Sequence, residues 1–358
     1  MDTSGFDLLG VLYQNDNLMK DWIVKLSSSL YRKEIIRRIF KDSKYAKIVP
    51  KVYYNLFLKK RQFPPYIHIE ITNVCNLKCS MCPNKKIPEE KKGYMDLELF
   101  RKIIKEIDRF GTSNLIFVKQ GEPLLHPQVM EFFSILRSAK NRQNVLWVSN
   151  GTTLTQPHID ALIEYEIDEL NLSIDSLQPE IFFQIKGFGL DKVLRGIERL
   201  QESKTRNKSD LPRLSVNMVV RKDNVHELIT AREYFKKQGI QHTVQKYNET
   251  FTDIDVGTTK WTLKEETMPA RYPCAHVFTN FVINYDGSTS LCCADWNSDF
   301  LVGDLYQKSI YDIWNGEKYR QIRHFHRTGQ YDKVAICKSC CAWPNHPNLF
   351  FPWQYKKT

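Results

Sequence analysis

Three cysteines fall within eight positions of the chain, in "CNLKCSMC" at 75–82, directly after the alternating run "YIHIEIT". Thiolates at Cys75, Cys79 and Cys82 can hold zinc or an iron–sulfur cluster, and both ordinarily take four ligands. Three protein ligands leave one corner open. An open metal position is Lewis-acidic and available to a further ligand. The remaining six of the nine cysteines, Cys274, Cys292, Cys293, Cys337, Cys340 and Cys341, form a second group, with none between 82 and 274. Thiols sorted into two clusters point to metal or redox use rather than to a disulfide framework or core filling.

The elements that must position these groups alternate. Candidate strands are "YIHIEIT", "NLIFVKQ", "VLWVSN", "ELNLSID", "RLSVNMVV" and "HTVQKYN". Between them lie helix-period stretches, "LELFRKIIKEIDRF", "QVMEFFSILRSAK", "HIDALIEYEI", "DKVLRGIERLQES" and "VHELITAREYFKKQ". In the first, Phe100, Ile103, Ile104 and Ile107 recur at the i, i+3, i+4, i+7 spacing of a buried stripe. Six strands with five intervening helices predict parallel crossovers, hence an α/β sheet that curls toward a barrel. Ligands in such folds sit at the carboxyl ends of strands, which is where the three-cysteine loop falls. Past residue 250 the alternation stops. "VFTNFVINYDGSTSLCC" predicts a β-hairpin turning at Asp286-Gly287, followed by a short helix in "SIYDIWNGEKYRQIR". Three regions are expected: a helical extension over 1–62, an α/β domain over 63–250 and a smaller module over 251–358.

The length of 358 residues suits a full-sized core, and the mean hydropathy of -0.44 is ordinary for a soluble protein. No run reaches the roughly 18 apolar residues of a membrane span. The start, "MDTSGFDLLG", lacks a basic-then-apolar secretory layout, so a cytoplasmic protein is expected. The net charge of +11 favours an anionic partner or substrate. Much of the excess lies in 1–62, where helices packed on the main domain compete with a membrane- or partner-binding surface.

The C-x3-C-x2-C loop, with Met81 before its last cysteine, resembles that of the radical SAM superfamily, over roughly residues 65–250. "QGEP" at 120–123 is similar to the Gly-Gly-Glu-Pro that holds the methionyl amino group in that family, with Gln120 in place of the first glycine. "SNGT" at 149–152 and "LSID" at 172–175 are similar to its polar strand ends facing ribose and the sulfonium. The resemblance implies a partial (β/α)6 TIM-like barrel, with Met81, Gly121, Glu122, Pro123, Asn150, Ser173 and Asn217 around the cofactor. It implies that S-adenosylmethionine chelates the open iron of a [4Fe-4S] cluster, and that one electron releases a 5′-deoxyadenosyl radical. A reductase such as flavodoxin or ferredoxin would supply that electron.

Cys274, Cys292, Cys337 and Cys340, spaced C-x17-C-x44-C-x2-C, resemble the SPASM/twitch appendages of that superfamily. The spacing is similar to the single-cluster twitch form of aminocyclitol dehydrogenases, which implies a second [4Fe-4S] cluster; zinc is the alternative. Cys293 then stands beside a ligand, as a hydrogen donor like that of radical SAM epimerases, as a buried filler, or as the ligand in place of Cys292. Cys341 is read as packing or as an alternate to Cys340. Asp295 is a candidate catalytic carboxylate; Arg213, Tyr247 and His276 are candidate substrate contacts.

The implied function is hydrogen abstraction from a carbinol carbon of a sugar or aminocyclitol, ending in epimerisation or dehydrogenation. The alternative within the family is maturation of a ribosomally made peptide; sulfatase maturation would want more auxiliary cysteines. A zinc protein binding nucleic acid is a further class, but neither a zinc-finger helix nor a ribonucleoprotein aromatic motif is present.

Overall fold

The computed structural model describes residues 61–111, 113–246, 273–338 and Cys340. They belong to one compact unit. The helical extension expected over 1–62, Tyr247 and Cys341 lie outside the described residues, apart from positions 61 and 62.

Nine strands form one sheet, in the order β6-β5-β4-β3-β2-β1-β7-β8-β9. Strands β1 (Tyr66–Ile69), β2 (Asn114–Phe117), β3 (Asn144–Ser149), β4 (Glu169–Ser173), β5 (Arg213–Val220) and β6 (Gln241–Lys246) pair in parallel in chain order. The crossovers are α1 (Leu97–Phe110), α2 (Val129–Ser138), α3 (Gln156–Glu164), α4 (Pro179–Lys186), α5 (Leu190–Arg206) and α6 (Leu228–Lys237). Among the described residues the sheet stays open, with β6 and β9 at its edges. The α/β architecture and the strand order agree with the expected incomplete barrel.

Helix α1 shows how the sequence builds a layer. The Asp96 carboxylate accepts the Leu99 amide at 3.2 Å and caps the first turn. Leu99, Phe100, Ile103, Ile104 and Ile107 are buried on one face. Under the helices the sheet presents Phe117 stacked on Trp147 at 4.3 Å, with Phe133 at 4.7 Å from Trp147 and Phe100 at 4.4 Å from Phe132. Each such side chain contributes about 1.5–3 kcal/mol on burial. The result is a rigid floor beneath the strand ends.

Two elements differ from the sequence expectation. Helix α4 forms where no periodic stretch was read, because eight residues give only two turns of pattern. The hairpin strand β7 (Asn280–Ile283) pairs in parallel with β1, from Tyr66↔Asn280 to Ile69↔Ile283. The cysteine-rich module therefore continues the main sheet, and β8 (Ser288–Ser290) and β9 (Leu301–Asp304) add to it antiparallel. The hairpin turn does fall at Asp286-Gly287: Gly287 has φ +80, and the Asp286 carboxylate accepts the Ser288 amide at 3.0 Å.

Polar groups fasten that junction. Lys119, just past β2 and buried, donates from Nζ to Asn284 Oδ1 at 2.6 Å and Ser298 Oγ at 2.7 Å. The Glu70 carboxylate, just past β1, accepts the Gln120 amide at 3.1 Å. Burial pushes Glu70 up to about 6, against the opposing field of Lys119. Its folded pKa stands above the ordinary 4.5, so protonation favours the folded state. Stability is full below about pH 4.5 and is lost as pH rises through 6. Denaturant melts of wild type and Glu70→Gln should therefore coincide near pH 4.5, and the variant should lead by about 2 kcal/mol above pH 7. A gap independent of pH would contradict this.

Gly121 sets how closely the β2 loop meets the three-cysteine loop. A Cβ there would lie 2.1 Å from the Thr72 carbonyl oxygen and 2.8 Å from that of Val74, both backbone atoms. No side-chain rotation relieves such a clash. Gly121→Ala should lose about 1–3 kcal/mol and at least half of the iron held by the three-cysteine loop, by denaturation midpoint and iron analysis. Wild-type iron content would contradict the close approach.

Candidate functional site

The loop carrying Cys75, Cys79 and Cys82 leaves β1 at the carboxyl edge of the sheet, and neighbouring loops hold it from several sides. The Thr72 hydroxyl donates to the Gly93 carbonyl at 2.7 Å and accepts the Val74 amide at 3.0 Å. The buried Asn84 amide group donates to the carbonyls of Asn73 at 2.7 Å and Gln120 at 3.2 Å. The Ser80 amide donates to Ile185 at the end of α4 at 2.9 Å, and Arg221 Nη1 donates to Ser80 Oγ at 2.8 Å. Met81 packs on Ile185, Ile181 and Val219. Within the loop the Cys82 amide donates to the Cys79 carbonyl at 3.1 Å.

The β2 and β3 loops complete the surround. The Glu122 amide donates to the Val74 carbonyl at 2.8 Å. Its buried carboxylate accepts the Asn150 amide at 2.6 Å, the Ser149 hydroxyl at 2.8 Å and the Leu124 amide at 3.1 Å. Burial pushes Glu122 up to about 7 despite those donors. Pro123 opens a short 3-10 turn behind it. Asn150 Nδ2 donates to Asn76 Oδ1 at 3.1 Å and lies 3.9 Å from Cys75 Sγ. Ser173, the last residue of β4, pairs in register with Asn217, which lies inside β5, three residues before its end. Of the residues expected here, Met81, Gly121, Glu122, Pro123, Asn150 and Ser173 come to the carboxyl edge, and Asn217 pairs with Ser173 from within β5. Arg213 does not: it begins β5, at the opposite end of the strand, and is exposed.

Three half-buried thiols converge in this loop. Burial pushes Cys75 up to about 11 and raises Cys79 and Cys82, and the charges of Cys79 and Cys82 act on Cys75 in the same direction. Such a trio is protonated when bare and thiolate when a cation takes it, and it fits three corners of a cluster. One cation already stands nearby. Lys186, buried at the end of α4, pairs with Asp175 at 2.6 Å and acts electrostatically on Cys79 and Cys82. The sequence reading missed this pair. Lys186 lies four residues after buried Phe182, on the core stripe of α4, and that spacing was the available signal.

In the second module Cys274, Cys292, Cys337 and Cys340 also converge: burial raises Cys274, and the other three thiols add to it. The Cys274 amide donates to His326 Nδ1 at 3.2 Å. Cys292 Sγ accepts the Ala294 amide at 3.4 Å, the kind of donor a metal-bound thiolate takes. Cys293 Sγ lies 4.0 Å from His276 Nδ1, and the donor atoms of His276, Cys292 and Cys293 all lie within 4.8 Å of one another. A hydrogen bond between the two thiols lowers Cys293 and raises Cys292. Asp295 is buried, and its two oxygens accept the amides of Asp299 and Phe300, each at 3.0 Å. It therefore shapes the turn after Cys293, and its carboxylate is engaged by backbone. Four thiols without a spare corner fit a fully protein-ligated cluster.

Comparison with known proteins agrees with this geometry. Residues 69–235 match the Radical SAM superfamily profile, and residues 274–341 match SPASM, an iron–sulfur cluster-binding domain. The tungsten-containing aldehyde ferredoxin oxidoreductase cofactor-modifying protein of Pyrococcus furiosus is 24% identical over 339 residues, covering 79% of this chain and 93% of that protein. A GTP 3′,8-cyclase of Vibrio vulnificus is 30% identical over 181 residues, covering 49% of this chain and 52% of the cyclase. The chain thus spans about half the length of that relative. Among solved structures, BtrN in complex with AdoMet and 2-DOIA has a TM-score of 0.55 at 20% identity, covering 79% of this chain and 94% of BtrN. SuiB of Streptococcus suis bound to S-adenosylmethionine has a TM-score of 0.62 at 16% identity, covering 88% and 84%. Among the described residues no helix is long and apolar enough to cross a membrane. With both domains matched in order, the chain carries a radical SAM domain followed by a SPASM domain, and these imply [4Fe-4S] clusters and S-adenosylmethionine.

Proposed function

We propose that this enzyme abstracts hydrogen from a carbinol C–H of a sugar or aminocyclitol, with Cys293 returning a hydrogen to invert the centre. In this reading Cys75, Cys79 and Cys82 hold the cluster that binds S-adenosylmethionine, and Cys274, Cys292, Cys337 and Cys340 hold the auxiliary one. When bound, cluster and S-adenosylmethionine together supply a 5′-deoxyadenosyl radical. The chain's residues do the rest. Gly121, Pro123 and Asn150 shape the pocket beside the open corner, and Ser173 and Asn217 offer polar groups to the ribose. Glu122 acts by tying the β2 loop to the β3 loop.

The observation that carries the reading is the placement of Cys293, free of the Ala294 amide that Cys292 takes and 4.0 Å from His276 Nδ1. The substrate radical takes the hydrogen atom of the Cys293 S–H; a C–H bond forms, an S–H bond breaks, and a thiyl radical is left. One electron and one proton, the proton by way of His276, would restore the thiol; a cluster held by Cys274, Cys292, Cys337 and Cys340 would supply an electron-transfer site there. A low-potential reductase such as flavodoxin or ferredoxin would supply both electrons of a turnover, one for cleavage of S-adenosylmethionine and one for the thiol. Dehydrogenation would differ only after abstraction: the substrate radical would lose its hydroxyl proton to a base and one electron, for which a cluster at the auxiliary thiols would be the acceptor.

Anaerobic turnover in deuterated water with candidate sugars, aminocyclitols and peptides, read by mass spectrometry, tests this. Epimerisation gains one deuterium on carbon with no change in oxidation level. Cys293→Ala should lower that incorporation by about a hundredfold or more, the scale on which a positioned proton or hydrogen donor matters. A product lacking two hydrogens, formed equally by Cys293→Ala, would contradict the donor role and establish dehydrogenation; modification of a peptide alone would contradict the substrate class.

A further inference from the structure

Helix α7 (Glu317–Arg327) does not bury an apolar stripe alone. Tyr319, Arg323 and His326, at i, i+4 and i+7, are 0%, 6% and 0% exposed. His326 Nδ1 accepts the Cys274 amide at 3.2 Å, which lays this face against the auxiliary thiols. Arg323 donates from Nε to the Val277 carbonyl at 2.9 Å and from Nη1 to the Trp314 carbonyl at 2.8 Å. Its guanidinium lies 3.9 Å from the Trp314 ring centre and 4.7 Å from that of Tyr319. Two buried donors are left over: among the described residues neither Arg323 Nη2 nor the Tyr319 hydroxyl has a hydrogen-bond partner. Folded proteins keep few such groups, because each forfeits its hydration without return. The Tyr319 hydroxyl is within electrostatic reach of Cys292 and Arg323.

We propose that the Tyr319 hydroxyl, backed by the Arg323 guanidinium, donates a hydrogen bond to the sulfur edge of the auxiliary cluster on its Cys292 side and raises that cluster's reduction potential. The inference rests on Cys274, Cys292, Cys337 and Cys340 being the auxiliary ligands, as proposed above. Reduction adds negative charge to the cluster, and a donor and a cation at its sulfurs favour the reduced form. Arg323, lowered to about 10 by burial, remains a cation at neutral pH. Tyr319 is thus a tuning residue that touches the cluster, not the substrate.

Tyr319→Phe removes the hydroxyl and keeps the ring, which packs 6.1 Å from Phe281 and 5.1 Å from Trp314. The experiment is an anaerobic redox titration of the reconstituted full chain, followed by electron paramagnetic resonance. The auxiliary signal is the one that S-adenosylmethionine leaves unchanged. At fixed poise its reduced-to-oxidised ratio should fall about tenfold or more in the variant, a midpoint more negative by about 59 mV for one electron. The S-adenosylmethionine-responsive signal should stay in place. An unmoved auxiliary midpoint, or an equal shift of both, overturns the inference and leaves the ligand assignment standing. A single cluster signal, with about four irons per chain in wild type, overturns both.

Discussion

The Glu122 amide donates to the Val74 carbonyl, one residue before Cys75, and Gly121 beside it leaves no room for a Cβ against Thr72. The catalytic face depends on this contact between main chains. It fixes the height of the three-cysteine loop against the end of β2, and the Glu122 carboxylate passes that position on to Ser149 and Asn150 on β3. Loops are ordinarily the loosest parts of an α/β fold. Here three successive strand ends share hydrogen bonds, so thiols on a loop inherit the rigidity of a sheet.

The second constraint is charge. Gathering thiolates in a half-buried loop is unfavourable until cations offset them, and burial alone raises every thiol of the first loop. The fold places Lys186 beside that loop, held by Asp175. Lys119 reaches from the end of β2 into the auxiliary module, where its field also lowers Cys293. The parallel pairing of β7 with β1 puts the two thiol groups on one sheet. The auxiliary site is part of the same architecture as the first, continued past β1.

Much of this was legible in the sequence, and the reasons are local. Cysteine spacing of three and two residues is set by one loop, so 75–82 could be read without knowing any neighbour. Helix α1 and strand β5 match their expected spans because an amphipathic stripe and a β-branched run are properties of the segment itself. What escaped was non-local. Nothing in "NFVI" says that it pairs with "YIHI" more than two hundred positions earlier. Arg213 was legible and misjudged: it opens the expected strand "RLSVNMVV", and chain direction alone puts it at the end away from the site. Lys186, Tyr319 and Arg323 look like surface residues by type; their positions on helical core stripes were the missed signal.

Radical chemistry at the first site depends on the open corner of the three-cysteine cluster. Mössbauer spectroscopy of the chain reconstituted with 57Fe, with and without S-adenosylmethionine, addresses it most directly. One iron of the first cluster should change its isomer shift and quadrupole splitting when the compound is added, while the auxiliary irons keep theirs. Spectra that are identical with and without it would contradict the central claim.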